Sequence, residues 1–461
     1  MMFTIEEIGR ATGGVVRGNG PSGVEGVSTD SRSIHADELF VPLRGANFDG
    51  HDYIPSALAK GVRVFLADSR WAELNSPDEG SVCIVVTDTL RALGDVASFH
   101  RSRFSIPVAG VTGSNGKTTT KEMLASILVR TGKGLKTSGN LNNLIGLPQM
   151  LLRLSGEDRW AVMEMGMSEP GEIDRLAEIA SPRVGIITNA SPAHLETMGS
   201  IEAVAAAKGE LFRRLPAGGV AVYNADDALI SAQPSAPGVR RLSFGLSGGD
   251  IRASEIRNEG TAGQSFKLHV EGTSFAVMLR AFGRHNVYNA AAAAAGAWAL
   301  DVDLDTIREG LEAFSPFDKR FNLEEVNGII LIDDSYNANP ASMEAALLTV
   351  RDLNRPGNAI AVLGDMLELG PGSGDAHEAL GRLAAQCVDR LFVTGAMAER
   401  VEAGAKQEGM APDRILRAAD RNTIFEELCR VLRRGDLVLV KGSRGMRMDE
   451  IASKLRTTEV N

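Results

Sequence analysis

Residues 108–118 read VAGVTGSNGKT and lead into the helix-forming run KEMLASILV. An apolar strand (Pro107–Val111) that breaks at glycines and restarts at once as a helix is half of a βαβ unit. It restricts the middle of the chain to a parallel sheet covered by helices on both faces. Gly113 and Gly116 permit positive φ and close backbone approach, so consecutive N–H groups curl around a phosphate, and the new helix adds its positive end. Lys117 supplies a point charge, and the Thr118 hydroxyl is placed to ligate Mg²⁺. The strict pattern wants glycine at 111, where this chain has Val111 with Gly110 before it. A plain glycine turn explains the glycines but not Lys-Thr at the helix start. The expectation is a chain that hydrolyses, or transfers from, a nucleoside triphosphate.

Alternation continues on both sides of this loop. Residues 1–86 hold short apolar runs (Leu39–Leu43, Val62–Ala67, Val82–Val86) and predict a small α/β domain. Residues 87–314 predict a central P-loop parallel-sheet ATPase domain with strands Trp160–Met165, Val184–Asn189 and Gly219–Asn224. Within it, Ser265–Leu279 alternates around Glu271-Gly272 as a hairpin does. After a Ser-Pro-Phe linker, residues 315–461 predict a Rossmann-like α/β domain with strands Ile329–Asp333, Ala359–Leu363, Arg390–Val393 and Leu437–Val440. The 461 residues suffice for three such cores. A net charge of −10 argues against nucleic acid as partner. Three scattered cysteines, Cys83, Cys387 and Cys429, read as reduced thiols of a cytoplasmic protein. Glu6 and Glu7 sit where a signal peptide is apolar, and no apolar run approaches the ~20 residues of a membrane span.

Ligands of a parallel sheet gather beyond the carboxyl ends of its strands. Glu164 and His194 follow two central strands, so a carboxylate and an imidazole are expected near the triphosphate as ligands for Mg²⁺. Lys208, in the predicted helix 201–215, is by default a solvated lysine. Facing the metal it could not stay an ammonium. A +1 charge ~4 Å from a +2 ion is repelled by about 2 kcal/mol in water and about 8 at an effective dielectric of 20. It would be neutral, displaced, or an anion such as a carbamate. In Gly283–Asn289, Asn286 and Asn289 share a helix face and could read adenine edges, while Asn286 could equally cap the helix. Asp333 and Asp334 end a strand, Arg320 follows the linker, and Lys441 and Arg444 lie beyond another strand. A guanidinium at 320 could swing onto a γ-phosphate.

The chain resembles the Mur ligase family of ATP-dependent amide-bond-forming enzymes over almost its whole length. The resemblance is carried by GVTGSNGKTTTKE, EMGMSEPGEI, ITNASPAHLE and GRHNVYNAAAA. The segments NLNNLIGLP (Asn140–Pro148), DDSYNANPASM (Asp333–Met343) and LGDMLELG (Leu363–Gly370) are most similar to the last ligase of the series. VSTDSR (Val27–Arg32) with LFVPLRG (Leu39–Gly45) resembles the uridine-nucleotide domain of its two later members. This likeness implies ATP and Mg²⁺ as cofactors, with a UDP-muramoyl-tripeptide and D-alanyl-D-alanine as substrates. A monomer in the cytoplasm is expected. It further implies that Gly113, Ser114, Asn115, Gly116, Lys117, Thr118 and Thr119 hold phosphates, and that Thr118, Glu164 and His194 hold metal. Lys208 falls where the family has a carbamylated lysine. Asn286 and Asn289 would contact adenine, Arg320 the γ-phosphate and Asp334 the ribose. Ser31 and Arg32 would meet the uridine diphosphate, Asn142 and Asn143 the muramoyl-peptide, and Asn337 and Asn339 substrate. One departure is local: the family often has glycine before the linker arginine, where this chain has Lys319. Two other readings compete: a sibling ligase of the folylpolyglutamate type, and a slow nucleotide switch. The Asn-Lys-x-Asp motif by which switches read guanine does not occur in the chain.

Overall fold

The computed structural model describes residues 1–192, 198–316, 319–353 and 355–458. It divides into two compact units. The first comprises residues 1–110, 133–167 and 172–182; the second comprises 111–132, 168–171 and 183–461. The division falls inside the strand Val108–Thr112.

In the first unit, four parallel strands (Gly26–Ser28, Glu38–Phe40, Val64–Asp68, Val82–Val86) and an antiparallel edge strand, Val15–Gly18, form a sheet. Alternation along the strands makes two apolar faces. Leu39, Val64, Leu66 and Ile84 point to one, with Phe3 and Ile8, and Phe40, Phe65 and Cys83 to the other. Helix Ile5–Thr12 starts at a capping box, Thr4 with Glu7, and stops at Gly13 in the left-handed conformation. Helix Thr89–Ser102 lays Ala92, Leu93 and Val96 on the first of these faces. The same unit holds strands Leu135–Lys136 and Ala161–Glu164, with the Ala161 N–H donating to Pro107 O.

In the second unit, strands Val184–Ile187, Val220–Asn224, Arg240–Gly245 and Ile251–Asn258 run parallel. The antiparallel strands Gln264–Val270 and Thr273–Leu279 follow, turning at Glu271-Gly272 as the alternation predicts. Arg240–Gly245 and Ile251–Asn258 were not legible as strands, because arginine, serine and glutamate interrupt their apolar residues. The helix expected over 201–215 is interrupted at Gly209, giving Ile201–Lys208 and Glu210–Arg214. Ala290–Ala295 are all fully buried in helix Arg284–Trp298, which packs closely on helix Lys117–Leu128.

A six-stranded sheet completes this unit. Its parallel strands lie in the order Ile329–Asp334, Leu437–Lys441, Ala359–Leu363, Arg390–Thr394, Ile415–Ala418. Strand Asn322–Val326 pairs antiparallel at one edge. Ile332, Ala361, Leu363 and Leu439 face one core; Leu331, Ile360, Val362 and Val440 face the other. Strands 329–334 and 359–363 lead to helices Pro340–Asp352 and Ser373–Cys387 on the first face. Strand 437–441 leads to helix Asp449–Leu455 on the opposite face. Neighbouring strands whose connections leave to opposite sides open a crevice at their carboxyl ends. Asp334 is the last residue of its strand, and Asn337, Asn339, Ser443 and Arg444 lie on the segments that follow those ends.

Candidate active site

Strand Val108–Thr112 ends in the glycine turn, and helix Lys117–Leu128 begins with Gly116 at its N-cap, φ +82° and without a side-chain cap. No side chain caps the start of that helix, the arrangement in which a helix N-terminus takes an anion. Both glycines are required sterically. A Cβ on Gly113 would sit 1.9 Å from Thr188 Oγ1, and one on Gly116 would sit 2.2 Å from Asn289 Oδ1. The Lys117 ammonium folds back to donate to the carbonyls of Gly113 (2.7 Å) and Ser114 (3.2 Å). Thr118 is buried, and Thr119 is half-buried beside it.

The loop is braced from the tip of strand Val184–Ile187. Ser114 N–H donates to Asn189 O (2.9 Å), and Asn115 N–H to Asn189 Oδ1 (2.9 Å). The Asn115 amide donates to Ser191 Oγ (2.9 Å), and Ser114 Oγ donates to Ser191 O (3.0 Å). Thr188 Oγ1 donates to Asn115 O. From the C-terminal region, Asn339 Nδ2 donates to Asn115 Oδ1 at 2.7 Å. The resemblance named Asn115 and Asn339 separately, one for phosphate and one for substrate; here they bond to each other. His194 lies outside the described residues.

Asn286 and Asn289 do share a face, and that face is buried. Asn286 Nδ2 donates to Phe282 O (2.8 Å), Asn289 Nδ2 donates to Asn286 Oδ1 (3.0 Å), and Thr120 Oγ1 approaches Asn289 Oδ1 at 3.4 Å. Asn286 does not cap the helix: Gly283 is the N-cap. A cavity of about 540 Å³ opens beside this first turn, lined among others by Gln264, Gly283, His285, Glu344 and Thr349.

Lys208 is only 3 % exposed, so the default of a solvated lysine is wrong here. Burial, and then the charge of Lys117, drive its pKa far below the usual ammonium range.

In the first unit, Asn142 Nδ2 donates to Glu164 Oε1 at 2.8 Å, and the buried Glu164 donates its N–H to Thr137 Oγ1. Asn143 spends its Oδ1 on the N–H groups of Ile145 and Gly146 at a helix start. The exposed guanidinium of Arg32 is held by Asp30, with Nε to Oδ1 at 2.9 Å and Nη2 to Oδ2 at 2.8 Å. That bonding lowers the Asp30 carboxyl to about 2. Ser31 lies half-buried between them in sequence.

In the C-terminal region the adjacent acids part company, because strand side chains alternate. Asp333 is fully buried and accepts from Arg456 Nη2 (2.8 Å) and from Ser335 Oγ, a structural role. Asp334 points the other way. It accepts from Lys441 Nζ at 2.6 Å and from the Phe321 N–H at 3.0 Å. Lys441 is 2 % exposed and also donates to Asn337 O, whereas the Asn337 side chain is on the exposed surface. Arg320 Cζ stands 4.1 Å from the centroid of the Tyr336 ring, a contact no motif announced. Lys319, in the place where the family often has glycine, takes φ +58°. That is the left-handed region, which glycine enters most readily.

Among the described residues no three His, Cys, Asp or Glu side chains cluster as a metal site. Taken each in its own unit, the Thr118 hydroxyl and the Glu164 carboxylate are hard oxygens. They fit Mg²⁺, which keeps water and takes further ligands from phosphate. No helix of the described residues is long and apolar enough to cross a membrane. The three cysteines are free, and burial raises the Cys83 thiol to about 12.

Three family models match in sequence order. They are the Mur ligase family catalytic domain over residues 23–101, the Mur ligase middle domain over 111–297, and the Mur ligase glutamate ligase domain over 319–444. The UDP-N-acetylmuramoyl-tripeptide–D-alanyl-D-alanine ligase of Escherichia coli is 36% identical over 440 residues, covering 94% of each chain. That of Bacillus subtilis is 35% identical over 436 residues, 94% of this chain and 93% of that one. Among solved structures, MurF from Acinetobacter baumannii superposes with a TM-score of 0.91 at 34% identity, covering 99% of both chains. MurF ligase from Thermotoga maritima in complex with ADP gives 0.84 at 30% identity, over 94% of this chain and 97% of that one. Folylpolyglutamate synthase from Mycobacterium tuberculosis, at 16% identity and a TM-score of 0.64, shares the fold alone.

Proposed function

The chain belongs to the Mur ligase family, and from that premise we propose that it joins D-alanyl-D-alanine to a UDP-N-acetylmuramoyl-tripeptide at the expense of ATP. The terminal carboxylate of the tripeptide attacks the γ-phosphorus, giving an acyl phosphate and ADP. The dipeptide amine then attacks the acyl carbon, phosphate leaves, and the amine proton passes to solvent or base. The obstacle in the first step is the meeting of two anions, so positive charge fixed at the phosphates is the main catalytic term.

The observation that carries this reading is the uncapped helix start behind Gly113–Thr118, its two glycines closed in by Thr188 and Asn289. Lys117, already drawn back over the loop, exchanges two carbonyl partners for phosphate oxygens. Arg320 meets the γ-phosphate and Asp334 the ribose. Thr118 and Glu164, with His194 by resemblance, would hold Mg²⁺, which when bound neutralises phosphate charge. Lys208 is assigned a carbamate: burial favours its neutral amine, the form that adds CO₂ and releases a proton, and the product is anionic. Ser31, Arg32, Asn142 and Asn143 serve the UDP-muramoyl end. The enzyme acts as a cytoplasmic monomer in peptidoglycan synthesis. The deciding experiment measures ADP formation with UDP-muramoyl-tripeptide, with and without D-alanyl-D-alanine. Turnover should require both, and ADP release indifferent to the dipeptide would defeat the assignment.

A further inference from the structure

Arg320 is held by its face and not by its edge. Its neighbours Lys319 (φ +58°) and Phe321 (φ +49°) both occupy the left-handed region, a conformation that non-glycine residues adopt only when the surroundings impose it. What imposes it is visible. The Phe321 N–H donates to Asp334 Oδ1 (3.0 Å), the Tyr336 N–H to Lys319 O (3.1 Å), and Lys319 Nζ to Asp449 (2.9 Å). The Phe321 ring packs against Phe282 and His285. The turn so fixed lays the Arg320 guanidinium over the Tyr336 ring at 4.1 Å. Arg444 approaches the same ring at 5.6 Å from the segment beyond strand 437–441.

Among the described residues Arg320 donates no hydrogen bond and forms no ion pair, and its Nε is buried without a partner. A half-buried guanidinium in that state is incomplete, since buried donors are nearly always satisfied. Stacking explains how it can be fixed and still unspent. The ring quadrupole attracts the cation through its π-face, while the five N–H donors radiate in the plane and stay available. A carboxylate partner would have fixed it equally well and consumed the fork. Two cations sharing one ring also repel each other, and an anion arriving between them relieves that.

We propose that Tyr336 is the positioning residue for Arg320, presenting its unspent guanidinium edge to an oxyanion, and hence to the transferring phosphoryl group. The identity of the anion rests on the reading above, in which Arg320 meets the γ-phosphate.

The test is steady-state kinetics on four variants: Arg320→Ala, Tyr336→Leu, their double variant, and Tyr336→Phe. Losing the stack should lower kcat by about 2- to 30-fold with KM for the tripeptide unchanged. Tyr336→Phe, which keeps the ring, should restore most of that loss. Tyr336→Leu should add less than about twofold on top of Arg320→Ala, because the tyrosine acts only through the arginine. Should the leucine variant melt early, a trifluorinated phenylalanine at position 336 keeps the shape and drains the π-face, and kcat should still fall. Undiminished turnover in Arg320→Ala would remove the phosphate role of the arginine. A damaged Arg320→Ala beside an unharmed Tyr336→Leu, or losses that multiply in the double variant, would overturn the positioning role alone.

Discussion

Gly116→Ala measures how tightly the phosphate loop is built. Two costs add. The backbone there has φ +82°, where an L side chain is disfavoured by about 1–2 kcal/mol. The new methyl would also lie 2.2 Å from Asn289 Oδ1, so that the Asn289 amide must swing away. Swinging gives up its bond to Asn286 Oδ1 at 3.0 Å and its contact with Thr120 Oγ1 at 3.4 Å, both buried. Stranded buried polar groups of this kind cost about 1–3 kcal/mol. The expected total is about 2–5 kcal/mol, together with a raised KM for ATP, because the helix start moves with the loop. Asn289→Ala alone should cost about 1–3 kcal/mol through the same lost bonds, yet it empties the space the methyl needs. The double variant should therefore be more stable than the sum of the singles predicts, by about 1–3 kcal/mol. Urea unfolding followed by circular dichroism, with ATP titrations of each variant, supplies the four corners of the cycle. Additivity within about 0.5 kcal/mol would refute the claim that Asn289 is what excludes a side chain at position 116.

Lys117→Ala should abolish turnover by removing the cation that is drawn over the loop onto the Gly113 and Ser114 carbonyls; kcat is the check, with circular dichroism to establish that the variant is folded. Wild-type protein in ¹³C-bicarbonate should give one carbamate resonance in ¹³C NMR that Lys208→Ala lacks, and short carboxylic acids should partly restore that variant's activity. Asp334→Asn should destabilise by about 3–5 kcal/mol in urea, because Lys441, at 2 % exposure, loses the carboxylate 2.6 Å away. His285 has its pKa lowered to about 4 by burial, with the Lys441 charge adding and Asp334 opposing. The folded form stays neutral where the unfolded chain begins to take a proton, near pH 6.5. Stability should then fall as pH drops from about 6.5 towards 4, and less steeply in His285→Asn, as urea midpoints at pH 7 and pH 5 will register.

What the sequence told about the phosphate loop was complete in outline, because glycine spacing and the strand–turn–helix order are local properties. The paired asparagines were harder. Spacing correctly put Asn286 and Asn289 on one face, but periodicity does not say whether a face meets a ligand or a core, and here it meets Phe282, Thr120 and Gly116. The burial of Lys208 was also hidden, since its helix is rich in alanine and offers no sharp polar side. Asp333 and Asp334 were flagged together, although strand alternation alone would have sent them to opposite faces. Tyr336 sits inside the DDSYNANPASM segment, but its contact with Arg320 reaches across the strand pair Asn322–Val326 and Ile329–Asp334, and nothing in the local pattern marks it. The departure at Lys319 was visible only as a missing glycine. Its meaning came with the dihedral, which puts Lys319 in the left-handed region that glycine favours.

The amide of Asn339 has both ends occupied. Its oxygen accepts from the Ser342 N–H and so starts helix Pro340–Asp352, while its nitrogen grips Asn115 in the phosphate loop. A planar group a few ångströms long cannot stretch. Any rearrangement of the loop when a triphosphate arrives must either drag the first turn of that helix along or let go of it. Either way a rigid rod thirteen residues long receives notice of nucleotide at one tip. One side chain thus ties the geometry of the phosphate loop to the first turn of that helix.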